Sequence, residues 1–349
     1  MTSIPKRLKM KKRQVAIFAF FTALRALAAL PGVVDANHLQ RTREARYVMG
    51  TILEITLYYH DVRQARQILE EAFSLAQRLD SLLSNYKSES EINRLNRKAG
   101  TGPVKISAEL YGFLELAKSL ARKTDGAFDI TVGPLMELWQ KASKQRRFPP
   151  EPSTKAAQSL VGSTGLILYL EHKAELRKRG MSIDTGGIGK GYAVDRIADL
   201  LKSHGITRAL VNFGHSSIRA MGTPPHALAW RLLLQFPGDE PLGILEVKDQ
   251  ALSASSSLGK SFEIEGKTYG HLIDPKLGTA VSKKIQAVVL SQTASVAEAL
   301  SKYVILRNPP EERDQDLWSP VKILRLSKDE KNRRSEGFPL LNLSRDKQN

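Results

Sequence analysis

The hydrophobic period of this chain changes part-way along it, and that change restricts the fold more than any other feature. Across residues 62–83, apolar side chains stand at Ile68, Ala72, Leu75, Leu79 and Leu82, three or four apart, as on one helix face. A second helical pattern covers 107–122 and stops before Asp125-Gly126. Beyond about residue 160 the apolar runs become short and strand-like, at 166–170, 208–213, 228–235, 242–247, 262–263 with 268–271, 285–290 and 321–326. An earlier alternating run, ILEITLYY, opens at Met49-Gly50-Thr51, and Glu265-Gly266-Lys267 predicts a hairpin turn. Two further helices are expected, at 191–204 before Gly205 and at 294–306 before Pro309-Pro310. Antiparallel runs beside separate helices predict an α+β fold, with largely antiparallel sheets and flanking helices. Residues 141–158, rich in Lys, Arg, Pro and Ser, read as a surface connector.

The amino terminus has a different character. Six basic residues stand among the first thirteen, an apolar stretch from Val15 to Leu30 follows, and small residues come next around Val34 and Ala36. That is the order of a secretory leader over 1–36, with an uncleaved anchor as the alternative; Arg25 interrupts the apolar run. The expected layout is leader, linker over 37–45, one domain over 46–341, and a disordered tail over 342–349. The chain carries 53 Lys plus Arg against 36 Asp plus Glu, a net +17. Cleavage after Ala36 leaves 46 basic against 35 acidic residues, a net +11, which no longer makes nucleic acid the default partner. The chain has no cysteine. Disulfide scaffolds, thiolate metal sites and cysteine nucleophiles are thereby excluded, and an exported, periplasm-facing location is expected.

Three segments can carry chemistry. Asp184-Thr185-Gly186-Gly187-Ile188-Gly189-Lys190-Gly191 packs four glycines into six residues between a strand and a helix. Backbone amides there can approach a pyrophosphate, aided by the helix dipole and by Lys190; a tight turn with a solvated lysine is the alternative. Thr124 to Leu135 (TDGAFDITVGPL) places Asp129 and Thr131 on one side of an extended segment and Phe128 on the other, or else forms a capped turn. Tyr269-Gly270-His271-Leu272-Ile273-Asp274-Pro275 puts a histidine at the close of a hairpin, with Asp274 able to cap the following turn.

These blocks, with Met49-Gly50-Thr51, Leu83-Ser84-Asn85-Tyr86, Ser90 to Asn96, ALVNFGHSSIRAMG at 209–222 and Glu298-Ala299-Leu300, resemble the ApbE family over residues 46–330. The family consists of FAD:protein FMN transferases. The resemblance implies a T-fold-like architecture and transfer of the FMN half of FAD to a Ser or Thr hydroxyl of a target protein, with release of AMP. It implies that Met49, Tyr86, Ala127, Phe128, Asp129, Asp184, Lys190 and Ile273 line the FAD site, and that His271 takes the proton from the hydroxyl. The acceptor is expected to be a membrane or exported redox subunit.

The family also implies a Mg²⁺ site, here at the Gly187 carbonyl, Glu298, Ser301 and Lys302. The family motif typically reads Ala-Asp-Ala-Leu-x-Thr, whereas this chain has Ala297-Glu298-Ala299-Leu300-Ser301-Lys302. A protonated ammonium cannot coordinate a metal, and Mg²⁺ demands octahedral oxygen ligation, so weak metal binding is expected. Ser253-Ala254-Ser255-Ser256 and Leu277 depart from the family pattern as well. Two readings follow for Lys302. Its ammonium replaces the ion, or it merely pairs with Glu298 at i, i+4 in a protein that binds FAD without transferring it. An FAD pyrophosphatase, with water as acceptor, is the third possibility.

Overall fold

The computed structural model describes residues 39–236, 239–307, 320–327 and 332–341. Its centre is an eight-stranded antiparallel sheet built from β1 (Gln40–Val48), β2 (Thr51–Tyr59), β3 (Ala209–Phe213), β4 (Ser217–Met221), β5 (Ala251–Ser256), β6 (Ile285–Ser291), β7 (Lys322–Ser327) and β8 (Arg333–Arg334). These strands lie across the sheet in the order in which the chain makes them. Helices and smaller sheets are inserted between them: α1 (Val62–Leu83), α2 (Glu91–Arg97), α3 (Ala108–Lys123), α4 (Gly133–Gln145), α5 (Glu151–Gln158), α6 (Gly189–Ser203) and α7 (Ala294–Leu306). The fold is α+β, as the change of period predicts. Among the described residues no helix is long and apolar enough to cross a membrane. The expected leader (1–36) and tail (342–349) lie outside the described residues.

Side-chain alternation decides what each face of the sheet carries. Leu53, Ile55 and Leu57 of β2 and Ala209, Val211 and Phe213 of β3 face α1 and α6 in the largest core cluster. Leu210, Leu252, Val288 and Leu290 point the other way. They meet Trp230, Leu232, Leu245 and Val247 from a three-stranded sheet of Trp230–Leu234, Gly243–Val247 and Leu340–Leu341. Ile285, Ala287 and Val289 of β6 pack against Ala297, Leu300 and Val304 of α7. The same alternation turns Ser253 and Ser255 of β5 toward α7, where both reach Ser301.

Several expectations need correction. Within the expected linker over 37–45, residues 40–45 belong to a strand: β1 begins at Gln40 and pairs with β2 from Gln40↔Tyr59 to Val48↔Thr51. Its sequence, QRTREARYV, is mostly polar because it lies at the sheet edge, so the apolar period that marks other strands is weak. Residues 141–158 are not a connector either, since α4 runs to Gln145 and α5 occupies Glu151–Gln158. Leu135, Trp139 and Ala142 give α4 a buried stripe, whereas α5 buries nothing and therefore has no amphipathic signature. The short helix α2 was not anticipated. Of the two readings of Thr124–Leu135 the structure has the capped turn and not the extended segment: Asp129 Oδ1 accepts from Thr131 N (2.8 Å) and Thr131 Oγ1 (2.7 Å), and the chain leads on into α4. Gly205 (φ 75°) does end α6 in the left-handed region.

Candidate active site

The glycine segment is placed by residues far from it in sequence. Asn85, just beyond α1, donates to the Ile183 carbonyl (2.7 Å) and accepts the Thr185 amide (2.9 Å). Asn96 of α2 donates to the same carbonyl (3.0 Å) and accepts the Ile183 amide (2.8 Å). Thr185 Oγ1 donates to the Leu83 carbonyl at 2.7 Å. Two asparagines thus act as a false strand edge for residues 183–185. Both lie in segments that resemble the family, but nothing in the local sequence marks either asparagine as a partner of the glycine segment.

The loop's own amides are largely committed within the protein. Gly186 N donates to Asp184 Oδ1 (2.8 Å), and Ile188 N and Gly189 N donate to the Thr185 carbonyl (3.1 and 2.8 Å). Gly191 N, in the first turn of α6, donates to Glu298 Oε2 (2.5 Å). Four of the amides that a pyrophosphate could use at this turn therefore already have acceptors within the protein. Burial raises the Asp184 carboxyl above its ordinary range, with the Gly186 amide opposing.

Around the loop stand other expected residues. A Cβ built on Gly187 would lie 3.3 Å from the Phe128 ring, and one on Gly189 would lie 3.5 Å from Met49 Cε. Glycine at 187 lets the loop rest closely on Phe128, while at 189 even a Cβ would be in ordinary contact with Met49. Met49 (φ 48°) and Gly50 (φ 76°) form the two-residue turn between β1 and β2, both in the left-handed region that such a turn requires. Tyr86 follows Asn85 and is 95% exposed, an aromatic face open to stacking at the loop's rim. Ala127 and Phe128 are buried. Asp129 is buried too, with Thr131 on one oxygen and Ser163 N on the other (2.7 Å), so its carboxylate organises the turn. Ile273 sits in an apolar cluster with Leu135, Trp139 and Ile264, so its side chain is committed to packing.

His271 leaves the hairpin of Ser261–Ile264 and Lys267–Gly270. That hairpin is braced by the cross-strand pair Phe262–Tyr269, whose rings stack at 22°, and by Trp139 against both. Gly270 comes so close to the Ser257 carbonyl that a Cβ would lie 1.8 Å from it, so only glycine fits. His271 Nδ1 lies 3.1 Å from the Lys260 carbonyl. A carbonyl only accepts, so the neutral ring carries its proton on Nδ1 and keeps the Nε2 lone pair as an acceptor. Crowding by protein pushes His271 down to about 4; the Lys260 carbonyl opposes the shift, and the charges of Lys302, Lys260 and Lys190 reinforce it. The residue is also open to solvent, and water moderates the penalty. The imidazole is neutral at pH 7.

Helix α7 supplies the charge cluster. Glu298 is 1% exposed, with Lys190 Nζ 2.6 Å and Lys302 Nζ 3.5 Å from Oε1. Burial alone would raise the Glu298 carboxyl, but the two ammoniums and the Lys190 and Gly191 hydrogen bonds hold it at about 2. Burial lowers Lys302 to about 8, with Glu298 opposing and Lys190 adding to the shift. Two helices approach closely here, since a Cβ on Gly191 would lie 2.5 Å from the Ala294 carbonyl. Asp195 fastens the crossing by accepting from Ala294 N (2.7 Å) and Ser295 N (2.8 Å) at the start of α7.

The expected Mg²⁺ ligands do not fit the ion. Both Glu298 oxygens are engaged by hydrogen-bond donors, and an ammonium stands in the ligand set where the family motif has an oxygen. Ser301 Oγ donates to the Glu298 carbonyl (2.7 Å) and lies 2.8 Å from Ser255 Oγ. Among the described residues no group of three or more His, Asp or Glu could hold a metal. A separate groove of about 650 Å³ between α1 and α6, lined by Leu75, Arg78 and Arg196 among others, contains none of these site residues.

A sequence model described as the ApbE family matches residues 49–315. The FAD:protein FMN transferase of Escherichia coli (strain K12) is 28% identical over 277 residues, covering 76% of this chain and 78% of that protein. The FAD:protein FMN transferase of Treponema pallidum (strain Nichols) is 29% identical over 294 residues, covering 78% and 81%. Among solved structures, the flavin transferase ApbE from Vibrio cholerae superposes with a TM-score of 0.74 at 25% identity, covering 87% of this chain and all of that one. The ApbE protein of Thermotoga maritima gives a TM-score of 0.77 at 25% identity, covering 86% and 98%.

Proposed function

The chain belongs to the ApbE family, and on that premise we propose that it transfers FMN from FAD to a Ser or Thr hydroxyl of an acceptor protein. The observation that carries this reading is His271, held with Nδ1 on the Lys260 carbonyl beside a cluster of lysines. In the reaction, the acceptor oxygen attacks the phosphorus of the FMN half. The bridging P–O bond breaks, AMP leaves with the bridging oxygen, and the hydroxyl proton passes to His271 Nε2. A neutral imidazole suits that task, and general-base assistance of this kind contributes about 10²–10⁴-fold. Negative charge accumulates on the diphosphate as the bond breaks, so cationic groups near it are the largest requirement. No step is assigned to Mg²⁺, because the residues present do not accommodate it.

Met49 and the exposed ring of Tyr86 offer surface for the flavin and adenine, buried Phe128 supports the glycine loop, and Lys190 brings charge beside it. The leader pattern over 1–36 supports export, with an exported or membrane redox subunit as acceptor. The test is incubation of the purified chain with FAD and a threonine-bearing acceptor, followed by mass measurement. The expected result is a gain of one FMN per acceptor with one AMP released. An acceptor unchanged in mass while FAD stays bound would make the protein a flavin-binding module. FMN and AMP released without acceptor would make it a pyrophosphatase.

A further inference from the structure

We infer that Lys302, together with Lys190, is a built-in cationic clamp for the diphosphate of a dinucleotide, taking the place of a divalent ion in this chain. The inference rests on the flavin-transfer reading and specifies how its substrate is held. Three observations converge on it. First, four of the loop amides, those of Gly186, Ile188, Gly189 and Gly191, are committed to Asp184, Thr185 and Glu298. Much of the recognition of an anion at this place therefore falls to side chains.

Second, the two lysines are held differently. Lys190 Nζ makes a short contact with Glu298 at 2.6 Å, whereas every acceptor recorded for Lys302 Nζ is distant: Ser255 Oγ at 3.4 Å, Ser301 Oγ at 3.5 Å and Glu298 Oε1 at 3.5 Å. An ammonium has three donors and gains most from short, charge-assisted bonds. Lys302 is thus shielded to 15% exposure without a strong partner. Third, the local charge does not balance. Lys190 and Lys302 share one carboxylate, and both, with Lys260, act on His271. An anion between these ammoniums and the imidazole would neutralise the excess, and a diphosphate presents oxygens on both sides of its bridge.

The experiment uses the full chain and titrates FAD and riboflavin by flavin fluorescence, in EDTA and in Mg²⁺. Wild-type affinity for FAD is expected to agree within about twofold between the two conditions, because the clamp needs no metal. Lys302→Met should weaken FAD by about tenfold or more, the effect of losing charge-assisted hydrogen bonds, while riboflavin, which has no phosphate, is unaffected. Lys302→Arg should retain most of the FAD affinity. Glu298→Asp with Lys302→Thr should make FAD binding sensitive to EDTA. If EDTA weakens wild-type FAD binding tenfold, the inference is overturned while flavin binding stands, and that arm requires no variant to fold. If Lys302→Met loses FAD and riboflavin equally, the clamp is likewise overturned. Failure of wild type to bind either flavin would overturn the flavin reading together with the inference.

Discussion

Asn85 and Thr185, one hundred positions apart, are joined by a hydrogen bond in which Asn85 Oδ1 accepts the Thr185 amide at 2.9 Å, while Thr185 Oγ1 donates to the Leu83 carbonyl. The end of α1 is thereby tied to the entrance of the glycine loop. Asn85→Ala leaves a part-buried amide and the Ile183 carbonyl with fewer partners, at a cost of about 1–3 kcal/mol. The expected outcome is a lower urea midpoint together with weaker FAD binding. A variant that loses stability without changing FAD affinity would show that the loop keeps its shape without this tie.

Glu298 holds two ammoniums in an almost water-free position. Removing it in Glu298→Ala leaves both lysines without their shared counter-charge, at a cost of about 3–5 kcal/mol. Its pH signature has a definite sign. The folded carboxyl titrates at about 2, below its ordinary value, so its stabilisation is present above about 4.5 and is lost as pH falls toward 2. Urea midpoints measured from pH 6 to pH 2 should fall more steeply for wild type than for Glu298→Gln.

His271→Ala should reduce transfer by about 10²–10⁴-fold while FAD still binds, since the ring acts on the acceptor's proton. The base is active when neutral, and its folded value lies near 4. The acid limb of the rate profile should therefore fall well below pH 6.5. An inflection at or above 6.5 would show a histidine free of both the crowding by protein and the surrounding lysine charges. Simultaneous loss of FAD affinity in the variant would assign the ring to binding.

Gly191→Ala tests the helix crossing. The added methyl would meet the Ala294 carbonyl at 2.5 Å, so α6 and α7 must separate and the Lys190–Glu298 pair must lengthen. Overpacking of this kind costs about 1–3 kcal/mol. Thermal unfolding should register the loss, and FAD affinity should fall with it. Ala294→Gly, which leaves that carbonyl in place, should not rescue either property.

Some of this architecture is legible in residue order because its causes are local. The apolar spacing of 62–83 is a helix period, and the structure places α1 on those same residues. Glu265-Gly266 reads as a hairpin turn because two adjacent residues with positive φ suit few other purposes, and their φ values are 49° and 75°. Strand β1 and helix α5 were missed for the opposite reason: an edge strand and an unburied helix present little apolar pattern to read. Family membership was legible too, because the motifs that carry it are contiguous.

Sequence alone determined the fold class, the family, and the presence of a lysine at 302, one helical turn after Glu298. Only tertiary structure decided what those residues do. It engaged four of the glycine-loop amides inside the protein, turned Ser253 and Ser255 toward α7, and brought Gly191 and Lys190 to Glu298 from more than a hundred positions away. The physical reason is that backbone propensity and apolar period act over a few residues. The partner of a buried charge is chosen by which helices cross, and that choice belongs to the packed core.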